Sequence, residues 1–184
     1  DRWYTAQKQS NGTYKITIDM GNHNYNEGTY QIACYIVDGN GIQTGITSGS
    51  CQMKAPNIYL EAKDAVGTEK EFQVSLTNAG VYGNIRQVQF AVWSVQGGQD
   101  DLIWYGAEKK NAGTWTKTVK IKDHRTLGTY NVHAYITLAN GSVKTKTTTF
   151  NVSRPTAKLT VDTQDKGKGT AEVTISNIQS KSCL

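Results

Sequence analysis

The chain has only two prolines in 184 residues, Pro56 and Pro155. Proline fixes φ and cannot donate to a strand ladder, so the long stretches without it leave room for uninterrupted strands. Cysteine is also scarce. Cys34, Cys51 and Cys183 are an odd number with no C-x-x-C spacing, which argues against a metal site or a disulfide framework. His23, His124 and His133 offer no H-x-x-x-H pair, whereas zinc needs three or four convergent ligands. No apolar run approaches the roughly 20 residues of a spanning helix, so no membrane span is expected. No signal peptide is visible, which reads as a mature or trimmed segment. A nucleophile elbow, a P-loop and a dinucleotide fingerprint are all missing. Catalytic residues, cofactors and metals are therefore not expected in this segment.

What is abundant points to strands and turns. The chain has 18 glycines and ten tyrosines, with many threonines and valines. Formal net charge is +5, a balance that favours polyanions: nucleic acid, anionic wall polymers or a membrane surface. The lysines are scattered, densest at Lys109-Lys110 and at Lys117, Lys120 and Lys122. With no basic helix or tail, a nucleic-acid partner is not expected. A solvated face is the simpler account of these lysines.

The chain repeats itself. WYTAQKQSNGTYKITIDM at 3–20 aligns with WYGAEKKNAGTWTKTVKI at 104–121, and GTYQIACYIVDGNG at 28–41 with GTYNVHAYITLANG at 128–141. His23 falls on His124, and Ala33 on His133. A second pairing places 60–79 on 159–178, with Val74 on Val173 and Asn78 on Asn177. The period is about 100 residues, the size of a small sandwich domain. The two prolines occupy equivalent points, which sets three expected segments. Residues 1–55 are the C-terminal part of a first unit, 56–154 a complete second unit, and 155–184 the N-terminal part of a third. The segment is thus expected to begin and end inside a unit, and the partial end units are candidates for pairing at their open edges.

The complete unit reads as all-β, with strands over 57–63, 71–77, 85–94, 102–109, 114–121, 128–138 and 142–152. Seven short strands in this length suggest an immunoglobulin-like β-sandwich. Alternation turns Val88, Phe90, Val92, Tyr130, Val132, Ala134 and Ile136 inward, with Phe72, Val74 and Leu76. By the same argument Cys34 reads as a small buried hydrophobe. The opposite faces carry Gln87, Gln89 and Trp93 on one strand and Asn131, His133 and Tyr135 on another.

That outer face holds the candidate ligand site. If the two strands are neighbours, Trp93 and Tyr135 form an exposed aromatic pair that can stack on a sugar ring. Gln89 and His133 would supply hydrogen bonds beside it. The competing reading packs Trp93 beneath the 95–101 loop as a second small core. Trp104, Tyr105 and Trp115 are expected to be structural. Adjacent residues on a strand face opposite ways, so Asp100-Asp101 make a poor carboxylate pair for glycoside hydrolysis and suit a turn. His23 and His124 are expected to fix a turn by hydrogen bonds.

Several of these residues carry a family resemblance. Val92-Trp93-Ser94, Gly98 to Tyr105, Trp115 and Val119 come first. His124, Gly128, Tyr130, Val132, Tyr135 and Asn140-Gly141 follow. The pattern resembles the GBS Bsp-like repeat, over most of 56–154 and again over 1–54. The first unit departs from it, with Tyr14 for Trp115 and Cys34 for Ala134. The resemblance implies tandem repeats of exported Gram-positive proteins, often joined to peptidoglycan-hydrolase domains. It implies a secreted, cell-wall-associated segment that binds peptidoglycan or anionic wall polymers and places an attached catalytic domain on its substrate. An adhesin or structural stalk, with repeats that only space other domains from the surface, is the alternative.

Overall fold

The structure, a computed structural model, describes residues 1–67, 69–124, 126–165 and 167–179, with backbone alone at 162–165. Cys183 lies outside the described residues. The chain divides into two compact units, Asp1–Asn57 and Ile58–Leu184. Among the described residues no helix is long and apolar enough to cross a membrane.

In the first unit, β1 (Gln7–Lys8) pairs antiparallel with β2 (Tyr14–Lys15). A 3-10 turn at Met20–His23 follows, capped by the Asp19 carboxylate, which accepts from the Gly21 amide. Then β3 (Gly28–Val37) and β4 (Gln43–Met53) form a long antiparallel hairpin. No residue of this unit is buried. Cys34, expected inside, is exposed, and Ile32, Ile36 and Ile46 are exposed with it. β3 and β4 pair only with each other, and exposure runs along both strands rather than alternating, so position in the alternation does not bury Cys34. Cys34 and Cys51 are free thiols.

The second unit begins with β5 (Tyr59–Ala62), β6 (Ala65–Val66), β7 (Glu71–Thr77) and β8 (Ile85–Ser94). It continues with β9 (Ile103–Gly106), β10 (Glu108–Lys109), β11 (Trp115–Lys120), β12 (Gly128–Leu138) and β13 (Val143–Ser153). The last pair is β14 (Lys158–Asp165) and β15 (Thr170–Ser176). Two sheets form the sandwich, one in the order β10-β11-β7-β5 and the other β6-β13-β12-β8-β9. This arrangement matches the A-B-E-D and C-F-G sheets of an immunoglobulin-like fold. Two details go beyond the sequence expectation. The span 102–109 is divided between sheets. Ala107 still donates to Val88, but Glu108 and Lys109 pair with Thr116 and Trp115 across the sandwich. The short β6 joins the other sheet in parallel with β13.

The core is the set that alternation selects. Val74, Leu76, Phe90, Val92, Tyr130, Val132, Ala134 and Ile136 are fully buried, with Phe72 and Val88 nearly so. Each Val, Leu, Ile or Phe side chain among them contributes about 1.5–3 kcal/mol on burial. Phe150 joins them, 4.3 Å from the Phe72 ring and stacked 5.2 Å from that of Tyr130. The Tyr130 hydroxyl donates to the Thr126 carbonyl at 2.8 Å, four residues upstream. That is the tyrosine corner at the start of the F strand of such sandwiches. The first unit repeats it, Tyr30 donating to the Asn26 carbonyl at 2.8 Å. β14 and β15 form a two-stranded sheet of their own with no buried residue among those described. Asn177, which ends β15, takes the left-handed conformation at φ 53°, and Asn78 does the same after β7 at φ 59°.

Candidate functional site

The outer face of the five-stranded sheet brings the expected residues together. β12 lies between β8 and β13, so Asn131 faces Trp93, His133 faces Ala91 and Tyr135 faces Gln89. On the far side of β8, Trp104 faces Ala91 and Gly106 faces Gln89. The rings then link across the strands. Trp93 meets His133 edge-on with centroids 4.6 Å apart, and Trp104 meets Tyr135 at 4.9 Å. The His133 and Tyr135 centroids are 6.5 Å apart. Ala91 sits in register between Trp104 and His133 and is only 2% exposed, although it is on the outer face. A methyl group there lets the large rings on either side reach over β8. Gly106 presents no side chain beside Gln89.

The exposed pair expected of Trp93 and Tyr135 needs correction. Trp93 is 8% exposed and packs against His133, so its indole is largely withdrawn from solvent. Tyr135, His133 and Gln89 are half-buried. The ring that faces solvent is Trp104, at 49% exposure, which was expected to be structural. Of the other two expected structural aromatics, Trp115 is buried opposite Leu76 in the core and Tyr105 engages a histidine. The signal for Trp104 was available. It lies one residue from Tyr105 on a strand, so the two must face opposite ways.

A second cluster lies at the tyrosine corner. His124 is 2% exposed, and its Nε2 is 3.1 Å from the Tyr105 hydroxyl. Its Nδ1 is 3.4 Å from Asp101 Oδ2, outside hydrogen-bond geometry, while Tyr130 meets its ring edge-on at 5.4 Å. Asp101 Oδ1 also accepts from the Ser94 amide at 2.9 Å, tying the 95–101 loop back to the end of β8. Tyr105 is pushed up to about 12, first by burial, then by Asp123, Asp101 and Tyr130. Asp101 and His124 are thus placed among buried structural groups, and Asp101 closes a turn as expected. Among the described residues no three His, Cys, Asp or Glu side chains gather to hold a metal ion.

The family model for the GBS Bsp-like repeat matches residues 2–51 and again residues 61–150. The chain belongs to the GBS Bsp-like repeat family. No curated protein matches it. Among solved structures it is similar to CopC from Methylosinus trichosporium OB3b, at 15% identity and TM-score 0.36, over 53% of this chain and 95% of that one. It is also similar to a tetra-tandem repeat in the extending region of a large adhesion protein. There the identity is 19% and the TM-score 0.37, over 92% of this chain and 43% of that one. Both likenesses are too loose to bear on function.

The two GBS Bsp-like matches allow one copy to be read against the other. Trp3 and Tyr35 are the counterparts of Trp104 and Tyr135, and their centroids lie 5.2 Å apart. The interplanar angle is 58° in the first copy and 48° in the second. His23 accepts or donates to the Tyr4 hydroxyl at 2.7 Å, as His124 does with Tyr105. Its ring meets Tyr30 edge-on at 5.0 Å. The first copy has Ala33 in place of His133, so its outer face lacks that hydrogen-bonding ring.

Proposed function

We propose that this chain is a pair of non-catalytic wall-binding repeats from a secreted Gram-positive peptidoglycan hydrolase. In this reading the segment is secreted and cell-wall associated. It holds an attached catalytic domain on its substrate by binding peptidoglycan or anionic wall polymers. The observation that carries the reading is the aromatic outer face of the complete unit. There Trp93, His133, Tyr135 and Trp104 meet ring to ring beside Gln89. Membership in a tandem-repeat family supports it, and the net charge of +5 suits a polyanionic wall.

Co-sedimentation with purified sacculi tests this directly. The segment is expected to pellet with sacculi at moderate salt and to leave wall-containing gels uncleared in zymography. Failure to pellet would favour the stalk reading, in which the tandem units only space other domains. Clearing of the gel would instead reveal a hydrolase within these residues.

A further inference from the structure

We propose that Trp104–Tyr135 and Trp3–Tyr35 are two copies of a stacking site for an uncharged pyranose glycan chain. The proposal rests on the wall-binding reading and narrows its ligand. The first ground is duplication. The same indole–phenol pair recurs in both units with nearly equal spacing and tilt. In the first unit it persists although no residue of that unit is buried, so closure of a core does not require it. In the second unit the core is closed, yet Trp104 remains 49% exposed.

The second ground is the chemistry of the surrounding face. The outer positions of β9, β12 and β13 carry no Lys, Arg, Asp or Glu, and on β8 the charged residue is the exposed Arg86, in the bulge opposite Thr137. Lys144 and Lys146 face Ile136 and Ala134 in register, on the other parity of β13. The two strands of the hairpin beside Trp3 contain no charged residue, and its turn carries Asp38. On the opposite sheet the outer positions are charged, with Glu61, Glu71, Glu108 and Lys120. At these outer positions an anionic polymer would find a single cation, Arg86, to pair with. A pyranose ring presents apolar C–H bonds on its faces and hydrogen-bonding groups at its rim. Trp104 and Tyr135 offer the stacking surface, while Gln89, Asn131, His133 and Thr147 stand beside it as hydrogen-bond donors and acceptors. Trp and Tyr have few rotatable bonds, and here each already braces the other, so little order is lost on binding.

The test uses the full chain and sacculi stripped of anionic polymers, with Trp3→Ala and Trp104→Ala singly and together. Both indoles are exposed, so the variants should keep the wild-type thermal transition, which is checked first. Wild type is expected to pellet with stripped sacculi and to do so undiminished at about 0.5 M salt, where ionic attraction is screened over about 4 Å. Each single variant should bind about tenfold more weakly, as loss of one stacked aromatic face implies, and the double variant should stay in solution. In nitrogen-labelled protein, chitohexaose should shift the indole N–H signals of Trp3 and Trp104 and leave that of Trp115 in place. A folded double variant that pellets like wild type overturns the proposal. Binding only to unstripped sacculi, lost in salt, overturns it while leaving the wall-binding reading intact. Binding to neither preparation overturns both.

Discussion

Tyr105 shows how one residue ties the corner of the sandwich to its acid and base neighbours. Its hydroxyl meets a histidine that is 2% exposed, and Asp101 approaches that histidine from the other side. Burial is the main reason its pKa stands near 12 against an ordinary 10.0, with Asp123 and Asp101 opposing the phenolate. The sign follows from which state loses its proton first. Between pH 10 and 12 the unfolded chain gives up this proton while the folded chain keeps it. Stability from this group is therefore complete below pH 10 and drains away as the pH rises to about 12. Tyr130 is shifted the same way, by burial first, and adds to the loss. Denaturant midpoints taken across this range should fall with pH in wild type. Tyr105→Phe should start lower, because His124 loses its partner, but should decline less steeply. Equal slopes in the two proteins would contradict the assignment.

Between elements, two turns approach each other backbone to backbone. Gly80, in the 3-10 turn Ala79–Tyr82, lies against Ala112 and Gly113 before β11, where Ala79 donates to the Gly113 carbonyl at 2.9 Å. A methyl group on Gly80 would come within 3.1 Å of the Ala112 carbonyl oxygen and 3.2 Å of the Gly113 Cα. Gly→Ala stabilises by about 0.4–1 kcal/mol through the unfolded chain, and overpacking costs about 1–3 kcal/mol. The neighbouring atoms are all backbone and cannot swing aside, so overpacking should win. Gly80→Ala is expected to lower stability by about 1 kcal/mol, read as a reduced denaturant midpoint at unchanged slope. An unchanged or raised midpoint would show that the turns have room to part. Strand alternation was legible because Val88, Phe90 and Val92 obey period two, and it placed the core and the outer face together. This approach of two turns was not legible, because Asn-Ala-Gly at 78–80 and 111–113 reads only as two separate turns. Nor was the sheet change at Ala107, since Ile103 to Lys109 carries no break in its pattern. For Trp93, periodicity gives its face and leaves an exposed and a packed reading open, and the edge of His133 that packs against it is set by cross-strand register.

At the scale of the whole molecule, burial is confined to one stretch of chain. Among the described residues every buried side chain lies between Ile58 and Val152, and none lies in Asp1–Asn57 or after Ser153. The core of the described residues therefore lies within a single repeat. A fragment of residues 56–154 keeps both sheets of the sandwich, the tyrosine corner and the Trp104–Tyr135 pair. Its thermal midpoint should match the main transition of the full chain to within a few degrees, the shift expected of less than about 1 kcal/mol. Residues 1–55 alone have a different prospect. Their long hairpin leaves Ile32, Ile36 and Ile46 in water, and a two-stranded hairpin is marginal by itself. This fragment should show no cooperative melting, and its apolar face should bind a hydrophobic dye that the 56–154 fragment does not. A 56–154 fragment that melts far below the full chain would mean that the flanking repeats supply stability through contacts other than core burial. Retained folding, with the aromatic face still reactive to glycan, would make the single repeat the unit of both stability and recognition.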